Sequence, residues 1–340
     1  MNWVKTDVSL RKYNTLGVDV TVHYFVTVDH EEILVDMFHD EHLANIESKV
    51  ILGGGSNILF VDDYFTGIIF HMAIKGFAMI KNTESEAEVI LKVGAGEKWI
   101  DLVIYMLDNE YSGLEYLAGI SGTVGGALVQ NIGAYGTELS DVCIECQVFD
   151  VLTKSFGTFN REACQFGYRT SLFKQSNIFS TRYIITYVTF KLSKQSSSFS
   201  RRSKNIVDEI LNRRAAKLPD PWLQIGNAGS FFKNPIIMNE QHAHLEQQEQ
   251  TDIPSYSVNM NQKKIPAGWF IEQCGWKNKY LGSAGTWHAH ANVLVNGGSS
   301  VGFDIWALAK EIRMSVEKRF HIRLEPEVNI IRTFQSMRVI

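Results

Sequence analysis

Two stretches of this chain bring bare backbone together in a way that suits an anionic ligand. Ile51 to Phe60 reads ILGGGSNILF, with Gly53, Gly54 and Gly55 in succession, then Ser56 and Asn57. Glycine has no side chain to hold a ligand at a distance, and successive exposed N–H groups form an anion nest. Ser56 and Asn57 add side-chain hydrogen bonds. The stretch has neither the G-x-G-x-x-G of a dinucleotide fingerprint nor the G-K-[ST] of a P-loop, and a tight structural turn explains it equally well. The second stretch, GISGTVGGALVQNIGAYGTE, holds six glycines: Gly119, Gly122, Gly125, Gly126, Gly133 and Gly136. That density opposes regular structure. A flexible linker would be polar, yet this one carries Ile120, Val124, Leu128, Val129 and Ile132. A backbone wrapped around a pyrophosphate accounts for both features.

The thiols and imidazoles point to no metal. Cys143 and Cys146 form a C-x-x-C within VCIECQVFDV, which alternates like a strand, so the two are expected on opposite faces. No second pair stands at zinc-ligand spacing. Cys164 and Cys274 complete the set, and thiols without a disulfide framework fit a reducing compartment. His288 and His290, in TWHAHANVLVN, lack an evident third ligand and are expected at the surface or the substrate's edge.

The elements that must carry these residues are mixed. VTVHYFVTV, KVILGGGSNILFV, TGIIFHMAI, EVILKVGAG, VCIECQVFDV and YIITYVTFKL read as strands. HEEILVDMFHDEH and EKWIDLVIYMLDNE read as helices, the latter with Ile100, Val103, Ile104 and Leu107 on one face. SKQSSSFSRRSK reads as a polar loop, followed by a helix, NIVDEILNRRAAK, that stops before Pro219. GNAGSFFKNP reads as a loop beside a strand. FDIWALAKEIRMSVEKRF is a helix with a core stripe of Ile305, Leu308, Ala309, Ile312 and Val316, capped by Ser299 or Ser300. Without regular βαβ alternation the class is α+β.

Length and composition set outer limits. The 340 residues suffice for two or three domains with a sizeable core. Net charge is −4, from 33 basic and 37 acidic residues, so a nucleic-acid binder is not expected. Neither a signal peptide nor a run of about 20 apolar residues is present, so a soluble cytoplasmic protein is expected, with no membrane partner.

In series, these segments resemble the UDP-N-acetylenolpyruvoylglucosamine reductase (UDP-N-acetylmuramate dehydrogenase) family. The resemblance runs from YNTLGVDV near residue 13 through LGGGSNILF, VGAGEKWIDLV, SGLEYLAGISGTVGGALVQNIGAYGTEL, CQFGYRTSLFK, KLPDP, GNAGSFFKNP and PAGWFIEQCG to LEPEV. It implies a two-lobed FAD-binding domain of the vanillyl-alcohol-oxidase (PCMH) type, with lobe 1 at 1–70 and lobe 2 at 71–218. The chain would return to lobe 2 over 323–340, and a UDP-sugar domain would span 219–322. It implies NADPH-dependent, FAD-mediated reduction of UDP-N-acetylglucosamine enolpyruvate to UDP-N-acetylmuramate, a step in peptidoglycan precursor synthesis, by a monomer. Gly53 to Asn57 would take the FAD pyrophosphate. Gly122, Thr123, Gly125, Gly126, Gln130, Asn131, Gly133 and Tyr135 would line the rest of the cofactor site.

The resemblance also implies roles in the reaction. Hydride addition puts charge on the carboxylate-bearing carbon, which needs fixed hydrogen bonds and then a proton. Arg169, in FGYRTS, would clamp the carboxylate. Glu325, in LEPEV, would stabilise the intermediate, and Ser230, in GNAGSFFKNP, would protonate it. Lys217 and Asn234 would contact the UDP-sugar, and Tyr168 would form a pocket wall. Three departures accompany the likeness. Ser121 and Leu128 replace usual prolines, and the segment 193–204 is shortened and lacks a tyrosine that packs over the diphosphate. Arg201, Arg202 or Lys204 would contact phosphate in its place. An oxidoreductase of the same fold acting on another sugar or alcohol, and a non-catalytic UDP-sugar-binding protein, are the competing readings.

Overall fold

The computed structural model describes residues 3–80, 87–175, 182–194, 197–219, 223–298 and 301–333. Period-two alternation in the first seventy positions builds a four-stranded sheet. Thr21–Val28 pairs antiparallel with Val4–Ser9 and parallel with Tyr64–Met72, which pairs parallel with Lys49–Leu52. Phe25 and Val26, adjacent in one strand, enter different clusters. Val26 packs with Ile33, Leu34, Met37 and Phe38 of the helix Glu32–His39, and Phe25 packs with Leu10, Phe60 and Phe65.

The next sheet is antiparallel, in the order Ser155–Asn160, Cys143–Asp150, Tyr183–Lys194, Glu88–Gly94, Phe77–Ile80. Its core joins Leu91, Val93, Val188 and Phe190 to the helices Trp99–Asp108, Val124–Gln130 and Ser197–Ala215. Three expectations are corrected in this lobe. The buried face of Trp99–Asp108 is Trp99, Leu102, Val103, Met106 and Leu107, whereas Ile104 is exposed. Trp99 rotates the stripe, because its indole N–H reaches Leu117 O at 2.8 Å in the interior. Cys143 and Cys146 do not face opposite ways: a register shift between Cys143 and Glu145 adds a residue, and both thiols enter one core. The stretch expected as a polar loop is helical from Ser197. Ser203 there is buried and donates to Glu115 Oε1 at 2.7 Å, so a residue that reads as loop chemistry serves packing instead.

The C-terminal part holds a second antiparallel system, in the order Gly226–Ser230, Val293–Asn296, Ala284–Thr286, Tyr280–Leu281. Ile236–Met238, Gln262–Lys264 and Tyr256–Asn259 form a small sheet beside it. The helix Gly302–Phe320 buries Ile305, Leu308, Ala309, Ile312 and Val316, as its spacing predicts. Ser299 and Ser300, the expected caps, lie outside the described residues. The return of the chain differs from the expectation. Asn329–Ile331 pairs in parallel with Ile58–Phe60, in the 1–70 segment, rather than with residues 71–218. The strand after the triple glycine is short and leaves an edge that Asn329–Ile331 fills. Among the described residues, no helix is long and apolar enough to cross a membrane.

Candidate active site

The two glycine stretches lie against each other. A Cβ on Gly53 would stand 2.4 Å from Thr123 Oγ1, and one on Gly54 would stand 2.9 Å from Gly122 Cα. Gly55 has φ +61°, and its Cβ would lie 1.9 Å from Tyr13 O. No other residue tolerates both that backbone and that approach. Ser56 Oγ donates to Ser121 O at 3.0 Å, joining the loops. The second loop is anchored from behind, with Trp99 N–H on Gly122 O, Val124 N–H on Glu97 O and Gly125 N–H on Ala95 O. Thr123 caps the helix Val124–Gln130 through Gly126 N–H. Among the described residues, the N–H groups of Gly54, Gly55 and Ser56 meet no protein carbonyl. Glycine thus lets the two stretches pack backbone against backbone, and the free N–H groups of Gly54, Gly55 and Ser56 are donors of the kind that suit the pyrophosphate of a dinucleotide.

Glu327 joins the cradle to the rest of the site. Its N–H donates to Phe231 O at 2.8 Å, and its carbonyl accepts from Asn57 Nδ2 at 3.3 Å. Its Oε1 accepts from Gln130 Nε2 at 3.0 Å and lies 3.1 Å from Arg169 Nε. Arg169 also donates through Nη2 to Gly133 O, so one end of its guanidinium rests on the second glycine stretch and the other on Glu327. Arg169 and Glu327 are each about four-fifths buried, at 20% and 19% exposure. Glu325, two residues earlier, is 73% exposed and pairs with Lys233 at 3.3 Å. The carboxyl beside Arg169 is therefore Glu327 and not Glu325, a correction to the sequence reading. Ser230 ends the strand Gly226–Ser230 next to Phe231, whose carbonyl holds Glu327, and Gly229 before it has φ +66°.

Behind this pair lies a residue that the sequence reading missed. Lys174 donates to Gln130 Oε1 and, at 3.2 Å, to Arg169 O. Burial lowers its pKa to about 8, with Lys233 and Arg169 pushing the same way and Glu327 opposing. Arg214, at the end of the helix Ser197–Ala215, is a second missed cation. Its Nε is buried without a partner, burial lowers its pKa, and Tyr135 and Arg169 are its titratable neighbours. Arg201, Arg202 and Lys204 are exposed on the same helix. The cation of this segment that turns toward the site is thus Arg214, one helix length from the expected three.

The remaining expected residues divide. Tyr168 stands beside Arg169, with Lys264 Nζ 4.7 Å from its ring centroid and the Asn234 backbone at its hydroxyl, and burial raises its pKa. Asn234 Oδ1 is occupied by Ala267 N–H at 2.9 Å, which leaves its amide nitrogen for a ligand. Asn131 is fully buried and left-handed, and its amide is spent on Glu138, Gly167 and Ser140. It is scaffold for the loop and cannot line a cofactor, which corrects the expectation. Tyr135 is half exposed, with Arg213 6.0 Å from its ring. Lys217 is exposed and acts on His290, whose pKa burial lowers. His288 is exposed.

The chain is similar to known proteins over nearly its whole length. Residues 220–331 match the family model for the C-terminal domain of UDP-N-acetylenolpyruvoylglucosamine reductase, and residues 22–154 match that for an FAD binding domain. The UDP-N-acetylenolpyruvoylglucosamine reductase of Amoebophilus asiaticus is 40% identical, over 96% of this chain and 99% of that protein. The same-named protein of Flavobacterium johnsoniae is 36% identical, over 96% and 99%. The crystal structure of the Thermus caldophilus reductase superposes with a TM-score of 0.70 at 24% identity, covering 97% of this chain and 100% of that one. The α+β architecture with a flavin-binding domain of the vanillyl-alcohol-oxidase type is the fold of this chain.

Proposed function

The chain belongs to the UDP-N-acetylenolpyruvoylglucosamine reductase family, and from that premise we infer that it reduces UDP-N-acetylglucosamine enolpyruvate to UDP-N-acetylmuramate. NADPH is the hydride donor, and the reaction serves peptidoglycan precursor synthesis. Bound FAD supplies the hydride-carrying chemistry. The paired glycine cradle, with N–H groups of Gly54, Gly55 and Ser56 unengaged, supports its pyrophosphate there. The soluble substrate suits the cytoplasm.

The observation that carries the reading is the buried Arg169–Glu327 pair next to that cradle. Arginine has five donors in a planar fork. One of Arg169's is spent on Glu327 and one on Gly133, which leaves three to grip the substrate's carboxylate. That grip strengthens as hydride addition to the methylene carbon places charge on the carbon bearing the carboxylate. Glu327 Oε1 is committed to Gln130 and Arg169, so Oε2 is the atom left to face the developing charge, and it does so as a donor when it carries a proton. Ser230, next to the Phe231 carbonyl that holds Glu327, delivers the proton to that carbon. Lys264, Asn234 and Lys217 take the UDP-sugar, and Arg214 adds a cation facing Tyr135.

Two half-reactions test this. Under anaerobic conditions NADPH should bleach the flavin band of the purified protein, and the enolpyruvyl UDP-sugar should restore it. Ser230→Ala should keep the flavin and lose turnover. Bleaching without restoration would reject this substrate. Absence of flavin, even after FAD is added, would reject the reading of both glycine loops.

A further inference from the structure

Lys174 is a half-buried ammonium placed where a folded chain gains nothing obvious from it. Among the described residues no carboxylate lies within ion-pair distance of it, and its hydrogen-bond partners are the Gln130 amide oxygen and the Arg169 carbonyl. Two of the charges that face it are also positive: Arg169 from its own loop and Lys233 beyond the strand Gly226–Ser230. Glu327 faces it from the segment leading to Asn329–Ile331, and the helix Val124–Gln130 presents only a neutral amide. Burying a cation among like charges costs folding free energy.

We propose that Lys174 is a positioning residue for the reduction: it fixes the amide of Gln130 so that Gln130 donates to Glu327, and it holds Arg169 in its left-handed backbone. The inference rests on the roles of Arg169 and Glu327 given above.

The orientation of Gln130 follows from donor counting. A lysine ammonium has three donors and no acceptor, so the end of the Gln130 amide that faces it must be the oxygen. The amide nitrogen then faces Glu327 Oε1, at 3.0 Å. Arg169 Nε, also only a donor, approaches the same oxygen at 3.1 Å. Two donors on Oε1 leave Oε2 as the one carboxyl oxygen able to carry a proton. Without the ammonium the amide is free to turn over and offer its oxygen to Glu327, which draws the proton to Oε1, away from the substrate. The second contact acts on the neighbouring clamp. Arg169 has φ +54°, a conformation that is unfavourable for a non-glycine residue and needs its surroundings to enforce it. The paired bonds between Gly167 and Thr170 do part of this, and Lys174 on Arg169 O does the rest.

The test uses FAD-loaded wild type, Lys174→Met and Lys174→Arg. Lys174→Met should slow reoxidation of the NADPH-reduced enzyme by the enolpyruvyl UDP-sugar by about 10- to 100-fold, the scale of a misplaced reacting group, with KM changed less than about threefold. Lys174→Arg should recover most of the rate. Because Lys174 titrates near 8, the wild-type rate should fall above that pH, and Lys174→Arg should move the fall to higher pH. A wild-type rate in Lys174→Met, or an arginine variant as slow as the methionine one with the wild-type pH profile, would overturn the proposal. A readout without substrate separates its failure from that of the functional reading. The side-chain NH₂ signals of Gln130, assigned by their loss in Gln130→Leu, should shift in Lys174→Met. If they stay in place the positioning role is wrong, whatever the substrate turns out to be.

Discussion

Two glutamates separated by one proline have opposite surroundings. Glu325 reaches into solvent and meets Lys233, whereas Glu327 is held at four points: Phe231 O on its N–H, Asn57 on its carbonyl, and Gln130 and Arg169 on its side chain. The motif LEPEV contains both, and no spacing rule separates them. Glu327→Gln keeps the shape and removes the carboxyl group beside Arg169, so kcat should drop by about 10²-fold or more, the usual worth of a group placed to stabilise developing charge. Glu325→Gln should stay within about threefold, as for an exposed ion pair of about 0–1 kcal/mol. Steady-state kinetics of the two variants, each checked for full flavin occupancy, decides between them. Equal losses would mean that the exposed carboxylate has a role its surroundings do not suggest.

The glycine stretches act as elements because they pack directly on each other. Gly54 has Gly122 Cα where a side chain would begin, 2.9 Å from an ideal Cβ. Gly54→Val should therefore part the loops and weaken FAD binding by about tenfold or more, which is 1.4 kcal/mol or more, while the protein stays folded. Flavin titration monitored by fluorescence, beside far-UV circular dichroism, measures both. Flavin bound as tightly as in wild type would show that the second loop yields at no cost. The helix Ser197–Ala215 teaches the converse about elements. Its first turns read as a polar loop, yet it buries Ser203, Val207 and Ile210 and ends with Arg214 beside the site.

Over the whole molecule, the C-terminal part is completed by residues from the far end of the sequence. Its core includes Leu16, Val18, Leu59 and Val61 with Phe231, Phe270, Ile312 and Phe320. Leu16 O accepts from Asn296 Nδ2 at 2.9 Å, Thr15 O accepts from Asn227 N–H at 3.0 Å, and Asn329–Ile331 is a strand only through Ile58–Phe60. A fragment of residues 219–333 thus exposes apolar surface that the intact chain covers. It should give poorly dispersed NMR amide signals and no cooperative melt, whereas the full chain melts cooperatively and FAD raises its Tm. A well-dispersed, cooperatively melting fragment would show that the shared core is dispensable.

What the sequence determined by itself is local chemistry. Gly53–Gly55 and Gly122–Gly126 mark places where the backbone comes close to something, because glycine is the residue that permits such approaches, and the stripe of Gly302–Phe320 announces its buried face because 3.6-residue periodicity needs no partner to be read. Arg169 and Ser230 stand out through the motifs around them. Tertiary structure decided whatever depends on which groups meet across the chain. The choice of Glu327 over Glu325, the engagement of Gln130 by Lys174, the burial of Asn131 and the pairing of Asn329–Ile331 with Ile58–Phe60 all join positions far apart in sequence. Burial and hydrogen-bond partnership are properties of those meetings, and a one-dimensional pattern does not contain them.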